Sequence, residues 1–307
     1  MIKFINYFDK LNKSQNGIVV KDKVYDISTY YPNSLIDLIS DGNLNNEAFH
    51  KELIRNLDKL PKSEYTFSDL QNSNQSDSFG LNIPYIPNEV WACGVTYKKN
   101  MELHEQDIEE SDGFKGLYSY VYDSERPEIF FKALGHHCVG TNEYITIRSD
   151  SDETFIEAEL ALIFSSQGDV IGYTAANDVT AWDIEKECPL FLNQAKIFKG
   201  SCVLGPCVVP ERFIQSPLNL DVNCKLIRNG ELIYEGKGST KNMKRSIAEF
   251  KDYLFRDNVI SNGTVFCTGT AIGIPNNMFI NDGDLCHIEV DKIGFIKNLA
   301  KKVKINN

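Results

Sequence analysis

Phe155-Ile156-Glu157-Ala158-Glu159-Leu160-Ala161-Leu162-Ile163-Phe164 is a strand-length apolar run that carries two acids two residues apart. Side chains at i and i+2 of a strand share a face, so the two negative charges sit side by side and repel unless something positive lies between them. Ser165-Ser166-Gln167-Gly168-Asp169 has the composition of a tight turn, and Val170 to Val179 is expected to run back beside the first strand. The return strand delivers Asp178 in the apolar context Ala175-Ala176-Asn177-Asp178-Val179. A buried carboxylate wants a partner or a cation. Three carboxylates with no Cys or His beside them favour a hard, oxygen-preferring ion such as magnesium, manganese or calcium over zinc. The same spacing also fits a solvated strand face with Asp178 capping a turn, and spacing alone leaves both readings open.

Outward from this hairpin, the chain after Leu81 is a succession of Val-, Ile-, Phe- and Tyr-rich segments punctuated by Gly, Pro and Asn, such as EVWACGVTY, EIFFKA, SCVLGPCVVP and TVFCTGTA. This predicts a mainly β catalytic domain over residues 81–307. Residues 1–80 read as a small α+β domain, with short strands, an amphipathic stretch from Leu35 to Leu57, and a Ser-, Asn-, Asp- and Gln-rich boundary from Tyr65 to Ser78. Two stretches interrupt the β pattern. Residues 240–256 predict an amphipathic helix; residues 98–122, helical or mobile, are long enough between two β elements to predict a functional lid.

The 307 residues, 42% hydrophobic and 24% charged, are ordinary for a globular protein. No apolar run approaches the ~20 residues that span a bilayer, and the first residues, MIKFINYFDKLNK, lack the unbroken apolar stretch of a signal peptide, so a cytoplasmic location is expected. A net charge of −11, with the longest basic cluster at Lys301-Lys302-Val303-Lys304, argues against nucleic acid as a partner. The eight cysteines show no C-x-x-C spacing and are expected to be reduced and mostly buried. There is no glycine-rich phosphate loop, no G-x-S-x-G and no H-E-x-x-H, which removes the usual sequence support for nucleotide transfer, serine hydrolysis and zinc proteolysis. His136-His137 reads as a turn, and Trp91 and Phe131 as core.

The order E-x-E-L, a turn, G-Y-T-x-x-N-D-V-T-x-x-D, Gln194-Ala195-Lys196, Gly205-Pro206 and Thr268-Gly269-Thr270 resembles the fumarylacetoacetate hydrolase superfamily over roughly residues 84–298. Arg126-Pro127-Glu128-Ile129-Phe130-Phe131-Lys132-Ala133 and Glu187-Cys188-Pro189-Leu190-Phe191-Leu192 are most similar to the branch that dehydrates 2-keto-3-deoxy-D-arabinonate. The resemblance implies a mixed β-sandwich roll with a small N-terminal domain, assembled as a homodimer or homotetramer. It also implies a divalent ion, Mg2+ with Mn2+ or Ca2+ as alternatives, on Glu157, Glu159 and Asp178. Lys196 matches the family lysine near the metal, and Thr270 a substrate-contacting threonine. Trp182 stands where the family usually has arginine. Hydrolytic members carry a histidine three residues after the tyrosine of G-x-N-Y and a glutamate three beyond; after Tyr97 those positions are Asn100 and Leu103, while His104 and Glu105 are adjacent and would not project together from a helix.

The resemblance implies dehydration of a small 2-oxo acid, a 2-keto-3-deoxypentonate giving 2,5-dioxopentanoate. Glu128 is the expected acid–base group, Lys196 a fixed positive charge, and Gln194, sharing a strand face with Lys196, a hydrogen-bonding partner for a substrate oxygen. The competing use for Glu128 is an ion pair with Arg126 or Lys132. Hydrolysis of a diketo acid, decarboxylation of an oxo diacid and isomerisation of a dienoate need the same metal residues and are the enzymatic alternatives. A binding module without catalysis would be expected to have lost one of the three metal carboxylates, and all three are present.

Overall fold

The computed structural model describes residues 1–32, 34–109, 114–275 and 277–304. Its centre is the expected hairpin. Ala158–Phe164 and Val170–Asp178 pair antiparallel through Ala158↔Asn177, Leu160↔Ala175 and Leu162↔Tyr173. The turn closes with the Ser165 amide donating to Asp169 O at 2.8 Å, and Gly168 takes the left-handed conformation that the turn requires, φ 80°. Every residue of Ala158–Phe164 is buried, which is why its apolar run is continuous rather than alternating. Strand parity still sorts it: Leu160, Leu162 and Phe164 enter one core cluster and Ala161 and Ile163 the other.

The hairpin lies in the middle of a large mixed sheet. On one side Cys202–Pro210 pairs with the return strand and is followed by Ile2–Phe8, Ser14–Val20, Lys23–Asp26 and Lys62–Thr66. On the other side come Thr264–Thr270, Glu89–Gly94 and Glu128–Leu134. Cys138–Val139, just beyond the last of these, pairs in parallel with Cys202 and Val203, so the far edge curls back to the middle and the sheet forms a roll. A second sheet, ordered Glu231–Ser239, Asp221–Arg228, Leu285–Val290, Gly294–Lys302 and Ile145–Ile147, supplies Val222, Leu226, Ile288 and Ile296 to the core shared with Leu160 and Leu162.

Residues 1–80 do not stand apart from this sheet. Phe4 pairs with Val208, and Phe4, Ile18 and Leu38 share one core cluster with Ala176, Val208 and Val265. The stretch from Leu35 to Leu57 contains the helices Leu35–Ser40 and Glu47–Arg55. The polar segment expected as a boundary contains a helix, Phe67–Asn72: Thr66 and Asp69 form a capping box, so part of its polar composition serves helix initiation. Residues 98–122 form the helices Lys98–Glu109 and Leu117–Asp123, with 110–113 of the expected lid outside the described residues. Residues 240–256 contain the helix Ile247–Phe255, capped by Ser246 and Glu249. His136 and His137 lie in a single 3-10 turn, and Trp91 packs edge-on against Phe131 at 5.3 Å. All eight cysteines are free thiols and six of them are buried. Among the described residues no helix is long and apolar enough to cross a membrane.

Both tryptophans, Trp91 and Trp182, lie beyond residue 80, so their fluorescence reports on the roll. Phe4→Ala deletes a fully buried ring from the shared core and is expected to cost about 3–5 kcal/mol. Because the sheet is continuous, the tryptophan-detected urea transition should shift to lower denaturant in step with far-UV circular dichroism. An unmoved tryptophan transition would show that residues 1–80 unfold on their own.

Candidate metal and acid–base site

The two central strands deliver three acids to one point. Asp178 ends the return strand, Glu159 is the second residue of its partner, and Glu157 lies one residue ahead of that partner. One carboxylate oxygen from each lies within 4.8 Å of the other two. Backbone bonds hold the arrangement: the Asp178 amide donates to Glu157 O at 3.1 Å, and the Glu157 amide donates to Asn177 Oδ1 at 3.0 Å. The Gly269 amide donates to Glu159 Oε2 at 2.6 Å. Gly269 is left-handed, φ 91°, and a Cβ there would collide with the Thr96 side chain, so the middle position of Thr268-Gly269-Thr270 requires glycine.

Two lysines face the acids. Lys196, at the end of the helix Leu192–Lys196, places Nζ 2.8 Å from Glu157 Oε1, 2.7 Å from Thr180 Oγ1 and 3.3 Å from Asp178 Oδ2. Burial pulls its pKa down, but Asp178, Glu157 and Glu185 outweigh burial and hold the ammonium well above the usual lysine range. Lys132 has no solvent exposure; its Nζ lies 2.5 Å from Asp178 Oδ1 and donates to Val179 O and Lys196 O at 3.0 and 2.7 Å.

Glu128 opens the strand Glu128–Leu134, so Glu128, Phe130 and Lys132 share a face by parity. Neither expected ion pair forms: Lys132 is committed to Asp178, and the Arg126 guanidinium lies over the Tyr253 ring at 5.1 Å. Gly94 pairs with Glu128 across the sheet, and a Cβ there would occupy the place of the Glu128 carboxyl. Burial, reinforced by Glu185 and opposed by Lys196, pushes Glu128 from the ordinary 4.5 up to about 8. Burial, then Asp178 and Glu157, push Glu159 well above the carboxylate range.

Glu185, which the sequence reading missed, belongs to this group. It lies on the helix Trp182–Glu187, accepts from Tyr118 Oη at 2.7 Å through Oε1, and has Oε2 3.9 Å from Lys196 Nζ. A cavity of about 120 Å³ separates Glu128 and Glu185 from Val95, Ile108, Leu117 and Tyr118. The acid one helical turn after Trp182 is the only sequence signal for it, and nothing local ties that turn to Lys196.

Thr270 is buried beside Glu159 and lines a narrow cleft with Glu157, Asn100, His104 and Phe155. Gln194 is placed differently from the expected shared strand face. Residues 192–196 form a helix, where positions two apart diverge, so Lys196 points inward while Gln194 is exposed and only its backbone carbonyl is engaged, by Arg148 at 3.2 Å. On the lid, His104 packs 4.3 Å from the Trp182 ring, and burial, with Lys196, lowers it to about 3. Glu105 turns the other way and accepts from the Ser119 amide at 3.0 Å and from the Gly116 amide. The two lid residues therefore do not act as a pair.

The group as a whole sets five carboxylates, Glu128, Glu157, Glu159, Asp178 and Glu185, against two ammonium groups, Lys132 and Lys196. The triad offers only oxygen donors, and burial together with its own negative charge raises Glu159. A hard divalent cation fits both features.

Residues 90–301 match the family model described as fumarylacetoacetate (FAA) hydrolase C-terminal. The chain belongs to this family. It is 40% identical over 236 residues to the 2-dehydro-3-deoxy-D-arabinonate dehydratase of Saccharolobus solfataricus, covering 77% of this chain and 79% of that one. It is 37% identical over 222 residues to the probable 2-keto-3-deoxyxylonate dehydratase of Haloferax volcanii, covering 72% and 75%. A solved structure of 2-keto-3-deoxy-D-arabinonate dehydratase complexed with magnesium and 2,5-dioxopentanoate matches 99% of this chain and 100% of its own, with a TM-score of 0.81 at 31% identity. The roll and the family resemblance expected from the motifs are both borne out.

The raised Glu128 carboxyl has a consequence for the metal-free protein. The folded state holds this proton up to about pH 8 and the unfolded state releases it near 4.5, so its contribution to stability is full below 4.5 and is lost as pH rises to about 8. Glu128→Gln cannot titrate. In chelator-treated protein, wild-type stability measured by urea denaturation should fall relative to Glu128→Gln across that window and level off above it; parallel profiles would show that Glu128 is not buried as described.

Proposed function

We propose that this chain is a metal-dependent hydro-lyase that converts a 2-keto-3-deoxypentonate of the arabinonate or xylonate type to 2,5-dioxopentanoate, with Mg2+ held by Glu157, Glu159 and Asp178. Mn2+ and Ca2+ suit the same donors. When bound, the ion supplies Lewis-acid stabilisation for the negative charge that develops on the 2-oxo group. The observation that carries the reading is Glu128: an enclosed carboxyl raised to about 8, free of Arg126 and Lys132, in a cavity beside the triad. A group with a pKa near neutrality both takes and returns protons.

Glu128 takes the carbon-3 proton, the carbon-4 hydroxyl departs as water, and return of protons moves the double bond toward carbon-5, where the enol becomes the aldehyde. The net change is loss of one water. Lys196 keeps its charge beside the triad and is positioned to offset the developing negative charge, and Thr270, whose hydroxyl bonds the Ile272 backbone, lines the cleft that holds Glu157. Gln194, exposed on its helix, has a weaker case for touching substrate than the other residues. Carbon–carbon hydrolysis lacks its base, because Asn100 and Leu103 occupy the positions of the dyad and neutral His104 has no carboxylate from Glu105 beside it. In this reading residues 1–80 form an accessory unit and residues 81–307 the catalytic one, and the protein works as a cytoplasmic homodimer or homotetramer.

Protein stripped of metal and resupplied with magnesium should convert one enantiomer of racemic 2-keto-3-deoxypentonate to 2,5-dioxopentanoate, followed by NMR. Asp178→Asn should abolish both turnover and the rise in Tm on adding magnesium, whereas Glu128→Gln should keep the Tm rise and lose about 10²–10⁴ in kcat. Inertness toward the pentonate beside cleavage of a diketo acid would sink the dehydratase reading.

A further inference from the structure

Dehydration needs a proton taken from carbon-3 and a proton given to the hydroxyl that leaves carbon-4, and one carboxyl already has the first task. The cavity beside the triad holds a second. Glu185 sits on a helix fixed from three directions: Asp183 accepts from Ser151 Oγ and from the Asp152 amide, each at 2.7 Å, and the Trp182 indole donates to Asp107 of the lid. Tyr118, on the second lid helix, holds Oε1 at 2.7 Å. Oε2 is buried and has no hydrogen-bond partner. Glu185 and Glu128 line the same cavity, whose other walls are apolar side chains, Tyr118 and Lys186, the last paired with Asp107 and Glu153.

We propose that Glu185 is the general acid of this site, giving a proton to the carbon-4 hydroxyl after Glu128 has taken the proton from carbon-3, with Tyr118 as the residue that positions it. The assignment rests on the dehydratase reading. The carbon-3–hydrogen bond breaks and its proton passes to Glu128. Its electron pair is held first on the 2-oxo group as the enolate and then becomes the carbon-3–carbon-4 double bond as the carbon-4–oxygen bond breaks, and the hydroxide leaves with the Glu185 proton as water. The proton on Glu128 replaces the one lost from Glu185, so the sum is the loss of one water and no other reactant is needed.

The electrostatics favour a single proton shared between the two carboxyls. Both carboxyls are raised, Glu185 first by burial and with Lys196 opposing. Two carboxyls in one enclosed space resist being ionised together, so the state with one proton between them, one base and one acid, is the favoured one. Tyr118 donates to one oxygen of Glu185 only and leaves the other for the substrate.

The test separates proton abstraction from loss of water. In deuterium oxide with magnesium, Glu185→Gln should retain metal-dependent exchange of the carbon-3 hydrogens of 2-keto-3-deoxypentonate within about threefold of wild type, while dehydration falls about 10²–10⁴-fold and KM changes little. Tyr118→Phe should lower dehydration by about tenfold or less with exchange unchanged. An unaltered magnesium-induced rise in Tm in both variants confirms that the fold and the metal site are intact. Exchange and dehydration falling together would overturn the acid role in favour of a structural one, as would wild-type turnover in Glu185→Gln. Wild-type protein that exchanges carbon-3 but never eliminates water would overturn the dehydratase reading itself, and the acid role with it.

Discussion

The ion pair between Lys132 and Asp178 is the constraint around which the site is arranged. Both side chains are essentially removed from solvent and their charged atoms are 2.5 Å apart. Taking away one partner of such a pair typically costs about 3–5 kcal/mol, because the other charge is left buried and uncompensated. Lys132 does more than neutralise Asp178. Its remaining bonds go to Val179 O and Lys196 O, so one ammonium ties the end of the return strand to the end of the helix that carries Lys196. The direction of Lys196 into the triad follows from that tie. Glu128 follows as well, since it shares the Lys132 strand and face.

Local pattern made part of this legible in the sequence. A continuous apolar run broken only by acids is unusual enough to mark the hairpin, and period-two spacing placed Glu157 and Glu159 together although Glu157 lies just outside the strand. Spacing alone could not choose between a metal site and a solvated strand face; the wider motif order did that. In the sequence Lys132 looks only like a competitor for Glu128, because its real partner is on a strand reached far along the chain, with 47 positions separating it from Val179. Gln194 was misplaced because a five-residue helix leaves too short a pattern to distinguish from a strand. The polar stretch before Ser78 has the composition of a boundary because Thr66 and Asp69 look like loop residues until their reciprocal capping bonds are known. Pairing of Phe4 with Val208 is likewise invisible to local pattern, so the continuity of the sheet across residue 80 could not be foreseen.

The residues around the triad, rather than the triad itself, set what chemistry this copy of the fold can perform. Trp182 is the clearest case. An arginine at this position, the family's usual choice, would bring a fixed positive charge close to Glu185, and a cation within about 4–6 Å typically lowers a carboxyl by about 1–3 pKa units. The indole is 1% exposed and packs against His104, Tyr118 and Phe155 at 4.3, 5.9 and 5.9 Å. It therefore contributes apolar surface where the arginine would contribute charge. The departure from the family pattern acts in the direction that keeps nearby carboxyls protonatable at neutral pH, and a reaction that both removes and returns protons requires that condition. The same substitution keeps His104 dry and neutral, withdrawing the lid histidine from base catalysis while the carboxyls beneath it are kept available.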